Sequence, residues 1–279
     1  IDGIKKQAFT LSSSKEFDQY MGQTFLDNSL RGGFPIKLGN GKHTFYVYSR
    51  KHGDLEREYD FFQVDSTYYS QGNSNFRDVN QNRRNDVRFF PEIGDSNIKT
   101  FFNLIQLDGF NPLVIKGSRF SIEDWEAAGA VLVKYFESAD IDRIKQYMSK
   151  AFTPGALLGF MEAAGISLKS GTRDSFMNDI LYVSVKEDLA DFSEGYWVDH
   201  WIYNTDLLEQ YLSVYPDKAM ELLTGNREYS FYDQYEFVAP RSKKYVLTEN
   251  GVRQLGSVIK SDEKERMIKR RTSDPYKVR

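Results

Sequence analysis

The chain has 279 residues, 40% of them apolar, and a formal net charge of −3. That is material for a substantial core in one large domain or two small ones, and the mild acidity argues against a general nucleic-acid binder. The absence of cysteine excludes disulfides, thiolate catalysis and cysteine zinc sites. The three histidines, His43, His52 and His200, lack the spacing of a zinc metalloprotease, and no metal is expected. No phosphate-cradling Gly-Lys-Ser/Thr loop and no Gly-x-Ser-x-Gly elbow occurs, so nucleotide hydrolysis and serine-hydrolase chemistry have no support. Without a long apolar run or a signal-like start, a cytoplasmic chain that does not enter a membrane is expected. The chain opens on Ile1 and stops at the loop-like "TSDPYKVR", which suggests a piece of a longer polypeptide.

In chain order, "SSKEFDQYMGQTFLDNSL" reads as a helix with a Ser13–Glu16 capping box and Phe17, Tyr20, Met21 and Phe25 on one face. "RGGFPIKLGNGKHTFYVYSRKHG" is broken by Gly and Pro and reads as a long loop with one extended piece, Thr44 to Ser49. "GDSNIKTFFNLIQLDGFNP" predicts a helix capped by Asp95 or Ser96, striped by Ile98, Phe101, Phe102 and Ile105, and ended by Gly109 and Pro112. "SIEDWEAAGAVLVKYF" predicts another, capped by Ser121, and "TPGALLGFMEAAG" a third, from a Thr cap and Pro154 to Gly165. "RDSFMNDILYVSVKED" reads as helical throughout. In "EGYWVDHWIYNTDLLEQYLSVYP" the residues Trp197, Trp201, Leu208, Tyr211, Leu212 and Tyr215 recur at helical spacing until Pro216. A short helix near 217–223 follows, then strand-like pieces in "YEFVAPRSKKYVLTENGVRQ". The charged end, 261–279, reads as a solvated helix or a flexible tail. Helix follows helix without a fixed-period repeat, so the fold class expected is mainly α, with long loops and a few short strands.

Two clusters carry chemistry. In "NSNFRDVNQNRRNDVRFF", residues 73–90, the only apolar residue between Phe76 and Val87 is Val79. Arg, Asp, Asn and Gln fill the rest, and Asn and Asp are poor residues for a merely exposed helix. As a helix, Arg77, Gln81 and Arg84 share one face and Asp78, Asn82 and Asn85 the next. Such planar groups side by side suit a polyol ligand, because bidentate donors and acceptors grip adjacent hydroxyls; a plain solvated helix is the equal alternative. "GYWVDHW" sets Asp199 and His200 among tryptophan and tyrosine. It reads either as core with a helix cap or as a sugar site with aromatic stacking faces.

These stretches carry a resemblance. "YYSQGNSNFRDVNQNRRNDV" resembles the Gly-x-x-x-Phe-Arg-Asp-x-x-Gln segment of the cellobiose phosphorylase superfamily of inverting glycoside phosphorylases, closest to the large bacterial β-glucan phosphorylases (β-1,3-oligoglucan type). "SRKHGDLEREYDFFQVDSTYYSQGN", "FFNLIQLDGFNPL" and "EGYWVDHWIYNTDLLEQYL" have counterparts there in the same order, so the resemblance covers most of residues 14–260. It implies that residues 1–279 are a single segment of an (α/α)6 toroid, whose inner helices aim their N-terminal ends at a central sugar cleft. Arg77 and Asp78 would hold the sugar whose bond is broken, with Gln81 in support. Asp199, His200 and Trp201 would line the same cleft. The sequence departs from the family pattern at Asn82, where smaller members have Asp, and at Gln71, where they have an Arg associated with phosphate. Arg57, Arg83 or Arg84 would then contact phosphate.

The implied reaction is phosphorolysis of β-glucosidic bonds in gluco-oligosaccharides to glucose 1-phosphate with inversion, needing no cofactor beyond inorganic phosphate as co-substrate. A carboxylic acid protonates the departing oxygen, and anionic phosphate attacks without a general base. Asp199, ending "GYWVD", is the one imperfect candidate for that acid, and the acid itself is expected beyond residue 279. The remainder of the same polypeptide would then be a partner and an exposed apolar edge would remain; a homodimer is also compatible. A non-catalytic carbohydrate-binding helical domain and an inverting hydrolase using Asp199 stay open as alternatives.

Overall fold

The computed structural model describes residues 2–48, 67–72, 74–191, 199–225, 229–254, 258–270 and 277–278. In chain order the elements are α1 (Asp2–Lys5), α2 (Lys15–Gly32), β1 (Phe34–Leu38), β2 (His43–Val47), β3 (Ser74–Asn75), α3 (Phe76–Arg83), α4 (Asp86–Phe89) and α5 (Ser96–Phe102). Then come β4 (Val114–Ser121), α6 (Trp125–Tyr135), α7 (Ser138–Met148), α8 (Pro154–Ala163), α9 (Arg173–Tyr182), β5 (Val185–Asp191) and α10 (His200–Val214). Short elements close the chain: β6 (Phe231–Tyr232), β7 (Glu236–Val238), α11 (Arg241–Lys244), β8 (Tyr245–Thr248), β9 (Gly251–Gln254), β10 (Val258–Lys260), α12 (Asp262–Lys269) and β11 (Lys277–Val278). The fold is mainly α, with short strands. It divides into two compact units, residues 1–74 with 116–189 and residues 75–115 with 190–279.

The first unit has its own core, built by Phe45, Phe120, Leu132, Phe136, Ile144, Met148, Leu157, Phe176 and Ile180 among others. Its helices are specified locally. Thr153 caps α8 by accepting from the Ala156 N–H at 3.2 Å, and Pro154 follows at the first helical position. Thr172 and Ser175 cap α9 reciprocally. Close backbone approach demands glycine at position 155, where a Cβ would lie 2.1 Å from the Tyr68 carbonyl oxygen.

The loop read between Gly33 and Thr44 is a hairpin. Strands β1 and β2 pair antiparallel from Phe34↔Val47 to Leu38↔His43, and the turn Gly39–Asn40–Gly41 takes φ of 62°, 53° and 90°, which Gly and Asn tolerate. Pro35 is accommodated because a two-stranded sheet has only edges. Ser121 ends β4, and Asp124 caps α6 instead, accepting from the Glu126 and Ala127 N–H groups. Helix α9 stops at Tyr182, and "VKEDLAD" is a strand. Ser14 caps α2 in place of Ser13, and none of the described side chains of that helix is buried. Its aromatic face is open, with Phe17 49% and Tyr20 64% exposed.

The second unit packs Phe76, Val79, Ile98, Phe101, Leu104, Ile115, Leu207 and Leu222 into a separate core. Helix α5 is shorter than its apolar stripe implies, ending at Phe102. Beyond it the chain turns, with Gly109 at φ 86°, and buried Gln106 holds that turn by bonding the Glu236 carbonyl and accepting from the Gln234 N–H. In the tail, Ser261 caps α12 and Ile268 is buried, so residues 261–270 are a docked helix. No helix among the described residues is long and apolar enough to cross a membrane.

Candidate functional site

The polar stretch becomes α3 and α4, and their interior stripe decides what they face. Phe76, Val79, Asn80 and Arg83 are buried, the i, i+3, i+4, i+7 pattern of a core-facing helix. Two of those four are polar, which is why no apolar stripe is visible in the sequence. The polar members have a matching helix. In α10 the fully buried residues are His200, Asn204 and Leu207, while Leu208, Tyr211 and Leu212 of the series that the sequence suggests pack half-buried against the same core and Trp201 stays exposed.

The two helices lie side by side and run parallel. Their first residues stack, with the Phe76 and His200 rings 4.8 Å apart and 25° from coplanar. One turn on, Asn80 Nδ2 donates to Asn204 Oδ1 at 2.6 Å. Further along, Arg84 donates to Asp206 at 3.1 Å and Arg88 to Gln210 at 2.7 Å and Ser213 at 2.8 Å. Both N-termini therefore sit together, where each helix contributes a partial positive charge of roughly half an elementary unit.

At that shared end stand the residues singled out in the sequence. Arg77 and Asp78 follow Phe76; the Arg77 Nε–H donates to Asp78 Oδ1 at 3.0 Å, and their side chains are 33% and 15% exposed. Asn75 caps α3 by accepting from the Arg77 N–H. Gln81, one turn on, is half-buried. Asp199 holds the N-cap position of α10, yet its carboxylate does not cap the helix and accepts from the Tyr203 hydroxyl at 3.4 Å. Trp201 is 40% exposed, its indole against Gly109, where a Cβ would lie 3.7 Å from Cζ2. His200 does not line a surface: it is 1% exposed. Its Nδ1 lies 2.6 Å from Asn111 Oδ1, and the Asn111 amide nitrogen donates to the Gly109 carbonyl at 3.4 Å. Asn111 escaped the sequence reading; only its place in a turn aimed at α10 reveals it.

The remaining arginines are placed elsewhere. Arg83 is buried with its guanidinium over the Phe101 ring, and its carbonyl accepts from Asn97. Arg84 sits eight residues along from Phe76, about 12 Å at the helical rise, and is engaged with Asp206. Arg57 and Trp197 lie outside the described residues. Gln71, in the first unit, is buried and acts as a backbone mimic, donating to the Ser118 carbonyl at 2.7 Å and accepting from the Ser118 N–H at 2.8 Å. No cluster of three or more potential metal-ligating residues occurs among the described residues. Against known proteins, no family model, curated protein or solved structure matches this chain.

Proposed function

We propose that this chain supplies the sugar-binding wall of an inverting glycoside phosphorylase acting on β-linked gluco-oligosaccharides, within an (α/α)6 arrangement. The observation that supports this reading is the parallel pairing of α3 and α10 with Arg77, Asp78, Asp199 and Trp201 gathered at their common N-terminal end. Inner helices of such a toroid run parallel and direct that end at the substrate. The Arg77 guanidinium and Asp78 carboxylate offer donors and acceptors in fixed planes, suited to vicinal hydroxyls. The partly exposed Trp201 indole offers an apolar face to the CH groups of a pyranose.

In the reaction, an acid gives its proton to the glycosidic oxygen. The C1–O bond breaks with its electron pair leaving on that oxygen, and a phosphate oxygen forms the new bond to C1 from the opposite face. No cofactor takes part. The role of Arg77 and Asp78 is to fix the ring whose C1 reacts, so that both events occur at one aligned centre. The test is isothermal titration of the 279-residue chain with cellobiose and with β-1,3-gluco-oligosaccharides. Saturable binding is expected, weakened about tenfold or more in Arg77→Ala, since a hydrogen bond to a charged group is worth roughly 1.5–3 kcal/mol. Absence of binding, or equal affinity in the variant, would overturn the proposal.

A further inference from the structure

Buried histidines occur in both units, and their partners specify opposite proton positions. The His43 Nε2 faces the Leu181 carbonyl oxygen at 3.0 Å, and a carbonyl only accepts, so Nε2 carries the proton there. His200 is the reverse case. Asn111 gives its amide nitrogen to the Gly109 carbonyl, which leaves its oxygen for His200 Nδ1 at 2.6 Å. An oxygen acceptor at that distance requires a proton on Nδ1.

We infer that Asn111 is a positioning residue: it fixes the tautomer and ring plane of His200, and through the Phe76–His200 stack it holds the Arg77–Asp78 pair in place. The chain of contact is short. Asn111 bonds His200, His200 stacks on Phe76, and Phe76 immediately precedes Arg77 and Asp78. Every member of the support is buried, Asn111 and Phe76 fully so. The Phe76 N–H is anchored on the same loop side, donating to the Leu113 carbonyl at 2.9 Å. A ring free to turn about its Cβ–Cγ bond would lose the near-coplanar stack. The buried amide opposes that turn by offering an acceptor in one direction. Sites whose exposed groups must be held within a fraction of an ångström depend on such buried partners.

The inference stands on this geometry and does not require the phosphorylase reading. Imidazole ¹⁵N NMR of the whole chain tests it without a ligand. In the wild type, His200 should show a proton on Nδ1, facing the Asn111 oxygen, with His43 as an internal contrast protonated on Nε2. Asn111→Leu should release the His200 tautomer, and the Arg77 Nε–H resonance should exchange with solvent at least about tenfold faster, since its bond to Asp78 is no longer held. Asn111→Asp keeps an oxygen at the same place and should retain both signatures. A wild-type His200 without a proton on Nδ1 would overturn the inference, and that measurement needs no variant to fold. A folded Asn111→Leu chain with unchanged Arg77 exchange would overturn it equally. Failure of the sugar reading shows separately, as wild-type protein that binds no oligosaccharide while these spectra behave as stated.

Discussion

His43 makes the stability of the first unit depend on pH. It starts β2, with one ring nitrogen on the Leu181 carbonyl at the end of α9 and its ring T-shaped to that of Phe120, the centroids 5.3 Å apart. Burial, and next the neighbouring Lys42 charge, lower its pKa from 6.5 to about 4, outweighing the opposing bond to Leu181. The folded state thus holds the neutral ring. Between those two values the unfolded chain binds more protons, so stability rises with pH. The contribution is complete above the unfolded value and is lost as pH falls through the window toward the folded one. A shift from 6.5 to about 4 corresponds to about 3 kcal/mol in full, of which about 2 kcal/mol is gone by pH 5. His43→Leu removes the titration and forfeits the bond to Leu181, so at neutral pH it should cost about 1 kcal/mol. The two proteins should then converge, and the variant should become the more stable by about pH 5. Amide exchange at Leu132 and Ile180, both in the first core, reads that unit by itself. A stability difference that stays constant between neutral pH and about pH 5, or an imidazole titrating at its ordinary value, would show that His43 is not held neutral by burial.

Two further outcomes follow from packing. In the second unit, Asn80 Oδ1 and Asn204 Nδ2 have no hydrogen-bond partner among the described residues, while their other amide atoms bond each other. Asn80→Leu alone should destabilise by about 1–3 kcal/mol, by stranding Asn204, whereas the Asn80→Leu/Asn204→Leu pair should recover most of that loss in urea unfolding. In the first unit, Gly155→Ala would bring its Cβ within 2.1 Å of the Tyr68 carbonyl oxygen and 2.5 Å of Thr67 Oγ1. Thermal unfolding should show a loss of about 1–3 kcal/mol despite the better helix propensity of alanine.

What the sequence disclosed depended on whether the signal was local. Helix α8 is legible because Thr153, Pro154 and Gly165 mark both ends with residues whose reasons are local. The hairpin at 34–47 was obscured because Gly-Asn-Gly breaks a pattern whichever fold it serves. The second core is assembled from residues 75–115 and 190 onward, a pairing that no window of sequence contains. The same holds for the site. Arg77 and Asp78 are adjacent in the chain, so their proximity is visible in the sequence, while their ion pair emerges only in the fold. The stripes that set their orientation were not, because Asn80, Arg83, His200 and Asn204 occupy positions where a periodicity search expects apolar side chains. Burial of His200 follows from a partner, Asn111, nearly ninety residues earlier.

The most direct measurement is ¹⁹F NMR of the chain labelled with 5-fluorotryptophan, titrated with β-1,3-gluco-oligosaccharides. Of the three tryptophans, Trp201 stands at the shared N-terminal end of α3 and α10, while Trp125 begins α6 in the first unit. The Trp201 resonance, assigned by Trp201→Phe, should move saturably while Trp125 stays still, and Arg77→Ala should shift the titration to about tenfold higher ligand. A spectrum unchanged by the sugar, or a response at Trp125 without one at Trp201, would contradict the proposed sugar site.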